Sequence, residues 1–460
     1  METKRRTRRS QADDLSGPSP QIMMMAIDQI APDPKNPRIH DRQQVRAIAR
    51  SIETFGFNAP ILVRSDYQIV AGHGRLEAAK LLQMAEVPVI RLDHLTGPQA
   101  RAYLIADNKL SERSRWDDQH LAEYLKALQE TALEFDLDAT GFELPEIDLR
   151  FQSLNPVEGA DPADEFEAGA EPQVTAPGDL WVLGEHRIFC GNALTPQTYA
   201  ALMEVRRAGA VFTDPPFNLK IHGHVCGKGK RRHREFAMAS GEMTRTEFEA
   251  FLTGWLALAT AYSEDASVQF MCMDWRHIGE AIAAIEKAGH ELINICVWAK
   301  TNGGMGSLYR SRHELVLVYR QQGQSHRNNV QLGVYGRNRT NVWNYPGATT
   351  FTARRKDKAE SLHPTVKPIA LVADAILDVT VPGDIVLDPF LGSGTTLLAA
   401  ERTGRRGFGI ELDPQYVDLA IRRWQRMTNE VARLSDGRTF EEVRLARLSD
   451  PAAQTSDPEG

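Results

Sequence analysis

The segment DIVLDPFLGSGTTLLAAERTG at 384–404 constrains the fold more than any other part of the chain. An apolar run ends at Asp388, a Gly392-Ser393-Gly394-Thr395-Thr396 turn follows, and LLAA then opens a helix. After the helix comes a second apolar run, RRGFGIEL at 405–412, which brings Glu411 to its end. A strand, a tight turn, a helix and another strand in that order require a crossover between parallel strands, because a hairpin cannot join them. Glycines in the turn let backbone approach a ligand closely, and the helix N-terminus favours an anionic group. An acid about 20 residues beyond such a glycine turn is placed to bind a ribose hydroxyl. The segment therefore implies a nucleotide-like cofactor. The glycine spacing alone does not separate S-adenosylmethionine from NAD, and a plain strand–helix turn has the same local pattern.

The alternation extends upstream. Strands are predicted at 210–214, 267–273, 292–300, 313–320, 384–388 and 406–412, with helices at 248–263 and 278–289 between some of them. Repeated strand–helix order predicts a doubly wound α/β sheet. Residues 22–150 read differently, as a small α+β unit. It has short apolar runs at 61–63, 69–72 and 87–90 and helical spacing at 45–56, 75–84 and about 97–130. Between the two lies a Pro-, Gly- and Ala-rich segment without hydrophobic periodicity, expected as an acidic linker over 151–173. A basic tail at 1–21 and a polar tail at 437–460 are expected to be disordered, and the second domain spans 174–436.

Charge sharpens this division. The net charge is -7, from 61 acidic and 54 basic residues, and the seven acids of 151–180 account for the whole excess. The rest of the chain is balanced, so local basic patches matter more than the total. Cys190, Cys226, Cys272 and Cys296 form no CxxC pair, which argues against a zinc site or a disulfide framework. No apolar run approaches the length of a bilayer span, so the expectation is a cytoplasmic protein without a membrane partner.

A second loop carries chemistry of its own. In VFTDPPFNLK at 211–220 a strand runs into Asp214 and stops at Pro215 and Pro216, which cannot continue a ladder. The carboxyl end of a strand is where open α/β sheets bind ligands. An exocyclic base amine is a poor nucleophile because its lone pair is delocalised into the ring. Asp214 and the Pro215 carbonyl, accepting both N–H bonds, would localise that pair, and Phe217 could stack on a flipped base. Taken alone, Asp-Pro-Pro also fits a plain turn. The following segment 220–234 is rich in glycine and holds Lys220, Lys228, Lys230, Arg231, Arg232 and Arg234 without an acid. It is suited to follow phosphates, with Arg310 and Arg312 as further DNA contacts.

With both loops in view, residues 174–430 resemble the β-class of DNA N6-adenine/N4-cytosine methyltransferases, in which the DPPF-type loop precedes the glycine loop. The resemblance implies a Rossmann-like methyltransferase sheet, S-adenosyl-L-methionine as cofactor and double-stranded DNA as substrate. It implies catalytic roles for Asp214, Pro215, Pro216 and Phe217. Cofactor contacts carry over to Asp214, Asp388, Phe390, Gly392, Gly394, Thr395, Thr396 and Glu411. HPTVKP at 363–368 adds His363 and Lys367 near the methionine end, and FCGNAL at 189–194 adds Asn192 near the adenine. The DPP rather than SPP form goes with adenine within the class; cytosine N4 needs the same acceptors and stays open. The N-terminal domain resembles the ParB/sulfiredoxin-like family through IAPDPKNPR, SIETFGFNAPILVR and YQIVAGHGRLEAAKLLQM. That likeness implies a phosphate loop at Gly72, His73, Gly74 and Arg75, able to take a nucleotide or DNA phosphate. The expectation is an adenine-specific enzyme in a restriction-modification setting, with a homodimer allowed. A ParB-type DNA-binding or partition protein is the alternative of another class.

Overall fold

The computed structural model describes residues 21–111, 116–129, 137–143, 146–148, 150–151, 162–164, 172–218, 241–301, 308–330, 332, 339–347 and 367–449. The chain forms two compact units, Met1–Asn155 and Pro156–Gly460.

In the first unit, strands β1 (Ile22–Ala26), β2 (Ile61–Val63), β3 (Ile69–Ala71) and β4 (Glu86–Arg91) form a sheet in the order β1-β4-β2-β3. Helices α1 (Arg42–Phe55) and α2 (His73–Leu81) pack together beside it. Asp41 caps α1, its carboxylate accepting the Gln44 amide at 2.7 Å. The core is aliphatic: Ile61, Val63, Ile69, Leu76, Val87 and Val89 are all buried. The helical stretch expected at 97–130 resolves into two helices, α3 (Gly97–Ser111) and α4 (Asp118–Gln129).

The second unit is built on a ten-stranded mixed sheet. Its strands are β5 (Leu180–Leu183), β6 (His186–Cys190), β7 (Ala208–Thr213), β8 (Ser263–Met273), β9 (His290–Ala299), β10 (His313–Gln321), β11 (Val342–Asn344), β12 (Ile385–Asp388), β13 (Arg406–Glu411) and β14 (Arg433–Leu434). The order is β11-β9-β10-β8-β7-β12-β13-β6-β5-β14. The five central strands β8, β7, β12, β13 and β6 run parallel, and antiparallel strands flank them on both sides. The helices are α5 (Pro196–Met203), α6 (Arg245–Ala261), α7 (Ile278–Lys287), α8 (Ile369–Leu377), α9 (Thr395–Arg402), α10 (Pro414–Thr428) and α11 (Phe440–Ser449).

Alternation along the central strands explains why both faces are covered. Phe212 and Val386 point into one apolar core, whereas Val211, Ile385 and Leu387 point into the other. A parallel sheet buried on both faces needs apolar side chains in both directions, and these strands supply them. The expected doubly wound α/β architecture is what forms.

Two expectations need correction. The polar tail expected to be disordered over 437–460 contains α11, whose Phe440 and Val443 are buried and whose Arg447 pairs with Asp179 at 2.5 Å. Its apolar residues Phe440, Val443, Leu445, Ala446 and Leu448 are interrupted by glutamates and arginines too often to mark one clean stripe, and only the rest of the unit selects Phe440 and Val443 for burial. Within the stretch expected as a solvated linker, Pro162–Asp164 lies against the sheet unit. Asp164 is buried and accepts the Ile369 amide at 3.0 Å, and the Ala163 carbonyl accepts from Arg423 at 2.9 Å. Hydrogen bonding to a backbone amide left free at the start of α8 offsets the desolvation of that carboxylate. Residues 1–20 and 450–460 lie outside the described residues.

Candidate active site

Strand β7 leads into Asp214, β12 and β13 end in Asp388 and Glu411, and β6 leads into Gly191 and Asn192. Because these strands are parallel, the five residues form a staggered row along the carboxyl edge, with Glu411 level with Cys190 and Asp388 level with Gly409, two positions before Glu411. Three strand spacings of about 4.8 Å make that row about 14 Å long, enough for an extended nucleotide-like molecule.

Asp388 braces the row. It is 4% exposed; its Oδ1 accepts from the Thr213 hydroxyl at 2.9 Å and the Phe390 amide at 3.1 Å, and its Oδ2 from the Thr396 hydroxyl at 2.6 Å. Burial pushes its carboxyl up to about 6 even against these donors. Phe390 turns its ring edge-on to Trp255, with centroids 5.5 Å apart. Gly392 and Gly394 both have positive φ, at +53° and +87°. A Cβ on Gly394 would lie 2.7 Å from the Ala420 Cβ, so glycine is required where α9 meets α10. A Cβ on Gly392 would meet nothing within 4 Å, which leaves that side of the loop open to a ligand. Thr395 and Thr396 start α9 and are buried.

Glu411 accepts the Gly392 amide through Oε2 at 2.7 Å and the Asp413 amide through Oε1 at 2.8 Å. Burial pushes its carboxyl up to about 7. Each oxygen keeps a further lone pair, which suits it to vicinal hydroxyls. Asn192 forms a turn of its own, its Oδ1 accepting the Leu194 amide at 2.8 Å, and stands beside Glu411 because Cys190 pairs with Glu411 in the sheet. These features fit a nucleotide-like cofactor along the edge.

The catalytic loop is held from two sides. Pro215 and Pro216 are buried, and Phe217 is half-buried against both cores. Asn218 takes a positive φ of +52°, which asparagine tolerates better than most residues. Its amide donates to the Met243 carbonyl at 2.8 Å, and its Oδ1 accepts the Gly241 and Met243 amides at 3.0 and 3.1 Å. On the other side Lys367, just before α8, donates to Asp214 Oδ2 at 2.5 Å and lies 3.1 Å from Glu314 Oε2. Glu314 also pairs with Lys300 through Oε1. Asp214 Oδ1 is buried and has no hydrogen-bond partner among the described residues.

Charge within this group is balanced. Burial opposes ionisation of Glu314, yet Lys367 and Lys300 overcome it and hold the carboxyl down at about 2. Burial likewise opposes the charge of Lys367, but Asp214 and Glu314 keep its proton affinity above the ordinary lysine range. Asp214 goes the other way: burial and the Glu314 charge push its carboxyl up, against the pull of Lys367 and Lys300.

The remaining expected site residues are placed as follows. Arg310 and Arg312 are exposed immediately before β10, on the same edge. Lys220, Lys228, Lys230, Arg231, Arg232, Arg234 and His363 lie outside the described residues. In the first unit Gly72 has φ +107° and opens α2. There His73 Nε2 accepts the Asp33 amide at 3.2 Å and Arg75 donates to the Ala59 carbonyl at 2.8 Å, so both side chains face their own unit. Sequence reasoning missed Glu314, Lys300 and Arg423. Arg423 donates to the Ser393 carbonyl at 2.7 Å and hydroxyl at 3.0 Å, fixing the glycine loop from α10. Its one local signal is its position on the apolar stripe of α10, three residues after Ala420 and four before Met427, where a charge needs a partner.

The family model described as DNA methylase matches residues 209–422. The ParB N-terminal domain model matches 11–109, and the ParB-methyltransferase HTH domain model matches 119–177. The HTH match was not anticipated; it takes in most of α4 and the short turn Leu137–Thr140. The chain is 27% identical over 237 residues to the type II methyltransferase M2.DpnII of Streptococcus pneumoniae, covering 49% of this chain and 85% of that protein. It is 25% identical over 253 residues to the type II methyltransferase M.HpaI of Haemophilus parainfluenzae, covering 52% and 74%. Among solved structures, the M1.HpyAVI–SAM complex is similar at 22% identity over 52% of this chain and 98% of that one, with a TM-score of 0.37. The cytosine-N4-specific PvuII DNA methyltransferase is similar at 17% identity over 53% and 89%, with a TM-score of 0.38. Among the described residues no helix is long and apolar enough to cross a membrane.

Proposed function

Residues 209–422 form a DNA methylase domain of the N6-adenine/N4-cytosine class behind a ParB N-terminal domain, and from that premise we propose that the chain methylates adenine N6 in duplex DNA. The observation that carries this reading is the buried Oδ1 of Asp214 just after β7, without a hydrogen-bond partner among the described residues and beside two rigid prolines. A buried acceptor without a donor is costly unless a ligand supplies one. An exocyclic amine supplies two N–H groups, one for Oδ1 and one for the Pro215 carbonyl.

Those two bonds turn the amine lone pair out of conjugation and aim it along the edge. Phe217 offers a ring on which the flipped base stacks. S-adenosyl-L-methionine supplies the electrophilic methyl group on a sulfonium. Glu411 would hold its ribose hydroxyls, Asn192 its adenine, and the Gly392–Thr396 turn with Asp388 and Phe390 its central part; His363 and Lys367 would lie toward its methionine end. With S-adenosyl-L-methionine bound, Asp214 Oδ1 would take the proton that the amine sheds on accepting the methyl group. Beyond the Pro215 carbonyl, the prolines act through their rings, which hold acceptor and carbonyl in a near-attack geometry. Arg310 and Arg312, with the basic residues of 220–234, would follow the phosphates. The first unit is read as a docking module, with the Gly72–Arg75 turn as its phosphate site.

Adenine is favoured over cytosine by the Asp form of the tetrapeptide. The test uses labelled S-adenosyl-L-methionine with duplex DNA, followed by hydrolysis and identification of the labelled base. N6-methyladenine is expected, and Asp214→Ala should abolish transfer while cofactor binding remains measurable. Label on cytosine N4 overturns the adenine reading; normal turnover by the alanine variant overturns the role of Asp214.

A further inference from the structure

The group around Asp214 contains more charge than methyl transfer asks for. Lys300 follows β9, Glu314 is the second residue of β10, Lys367 precedes α8 and Asp214 follows β7, so four separate stretches of chain converge. Their signs alternate along the series Lys300, Glu314, Lys367, Asp214. The side chains of Lys367 and Glu314 are only 4% and 10% exposed. Buried charges at such positions persist only when paired. Among the described residues, Lys367 is the cation placed between Glu314 and Asp214, close to both carboxylates.

We propose that Glu314 is a positioning residue for the reaction: through Lys367 it holds Asp214 with Oδ2 paired and Oδ1 free for the amine. The proposal rests on the reading of Asp214 as the amine acceptor. Lys367 is shared between two carboxylates 2.5 and 3.1 Å from its Nζ. Sharing keeps the ammonium on Oδ2 and weakens its hold on Asp214, so the carboxylate stays a good acceptor. Without the Glu314 charge, the full attraction of Lys367 falls on Asp214. Without the Lys367 charge, two buried carboxylates face each other.

These two losses act on Asp214 in opposite directions, and that gives the test. The charged or titratable groups acting on Asp214 are Lys367, Glu314 and Lys300; Asp388 at the end of β12 and Cys272 of β8 interact with it from the central sheet. In the full chain, the pH dependence of kcat is measured with saturating duplex DNA and S-adenosyl-L-methionine. Glu314→Gln is expected to move the acid limb to lower pH and Lys367→Met to move it to higher pH, with Lys367→Arg close to wild type. Turnover at neutral pH should fall about tenfold or more in the first two, the scale of a misplaced acid–base group. Cofactor affinity, followed by calorimetry, should stay within about threefold in Glu314→Gln, since Glu314 does not line the glycine turn. An unmoved limb in Glu314→Gln, or limbs that move the same way in both variants, overturns the proposal. Asp214→Asn is run alongside: if it keeps normal turnover the acceptor reading itself fails, whereas an inactive Asp214→Asn with an unmoved Glu314→Gln limb removes only the role of Glu314.

Discussion

Asp388 offers the cleanest thermodynamic probe of the site, because its replacement by asparagine can keep every hydrogen bond. The Oδ1 contacts to Thr213 and Phe390 carry over unchanged, and the new amide can donate to the Thr396 hydroxyl, which is free to turn. What changes is the charge. Burial raises the carboxyl from 3.8 to about 6. At about 1.4 kcal/mol per unit, ionising it in the folded protein costs about 3 kcal/mol more than in the unfolded chain. For a raised carboxyl the sign is fixed: stability is full below the unfolded value near 4 and is lost as pH rises through the folded value near 6. About 2 of those 3 kcal/mol should be lost between pH 4.5 and 8. Any pH-independent effect of Asp388→Asn cancels when the difference between the two proteins is followed across that range. Urea unfolding by tryptophan fluorescence suits the purpose, since six of the seven tryptophans lie in the second unit. The asparagine variant should gain about 2 kcal/mol on wild type from pH 4.5 to 8. A difference constant to about 0.5 kcal/mol would refute the argument that this carboxylate is desolvated at cost.

Two further outcomes follow from packing. Gly394→Ala must place a Cβ 2.7 Å from Ala420 at φ +87°, so it should destabilise the second unit by about 2–3 kcal/mol in urea and abolish cofactor binding by calorimetry. Removing residues 438–460 deletes Phe440, Val443 and the Arg447–Asp179 pair, and should cost about 3–5 kcal/mol; an unchanged melting temperature would show that α11 adds nothing to the core.

The elements carrying the chemistry were legible because their signals are local. Asp214 ahead of two prolines and Asp388 ahead of the glycine turn each declare a strand end within ten residues, and the predicted central strands coincide with β7, β8, β9, β10, β12 and β13 to within a few positions. Shorter pieces escaped. The hairpin of β5 and β6 has only four and five residues, and which apolar residues of α11 are buried depends on what packs beneath it.

Composition and periodicity thus determined by themselves six strands of the sheet and the two loops at its carboxyl edge. They were silent on what surrounds Asp214. Lys367 reads in sequence as one cation beside a proline, and Glu314 as one acid opening a strand; their meaning depends on contacts spanning 153 residues from Asp214 to Lys367. No window along the chain contains such a pair. Only the folded sheet brings the four charged groups within bonding distance, where low solvent access makes their balance decisive.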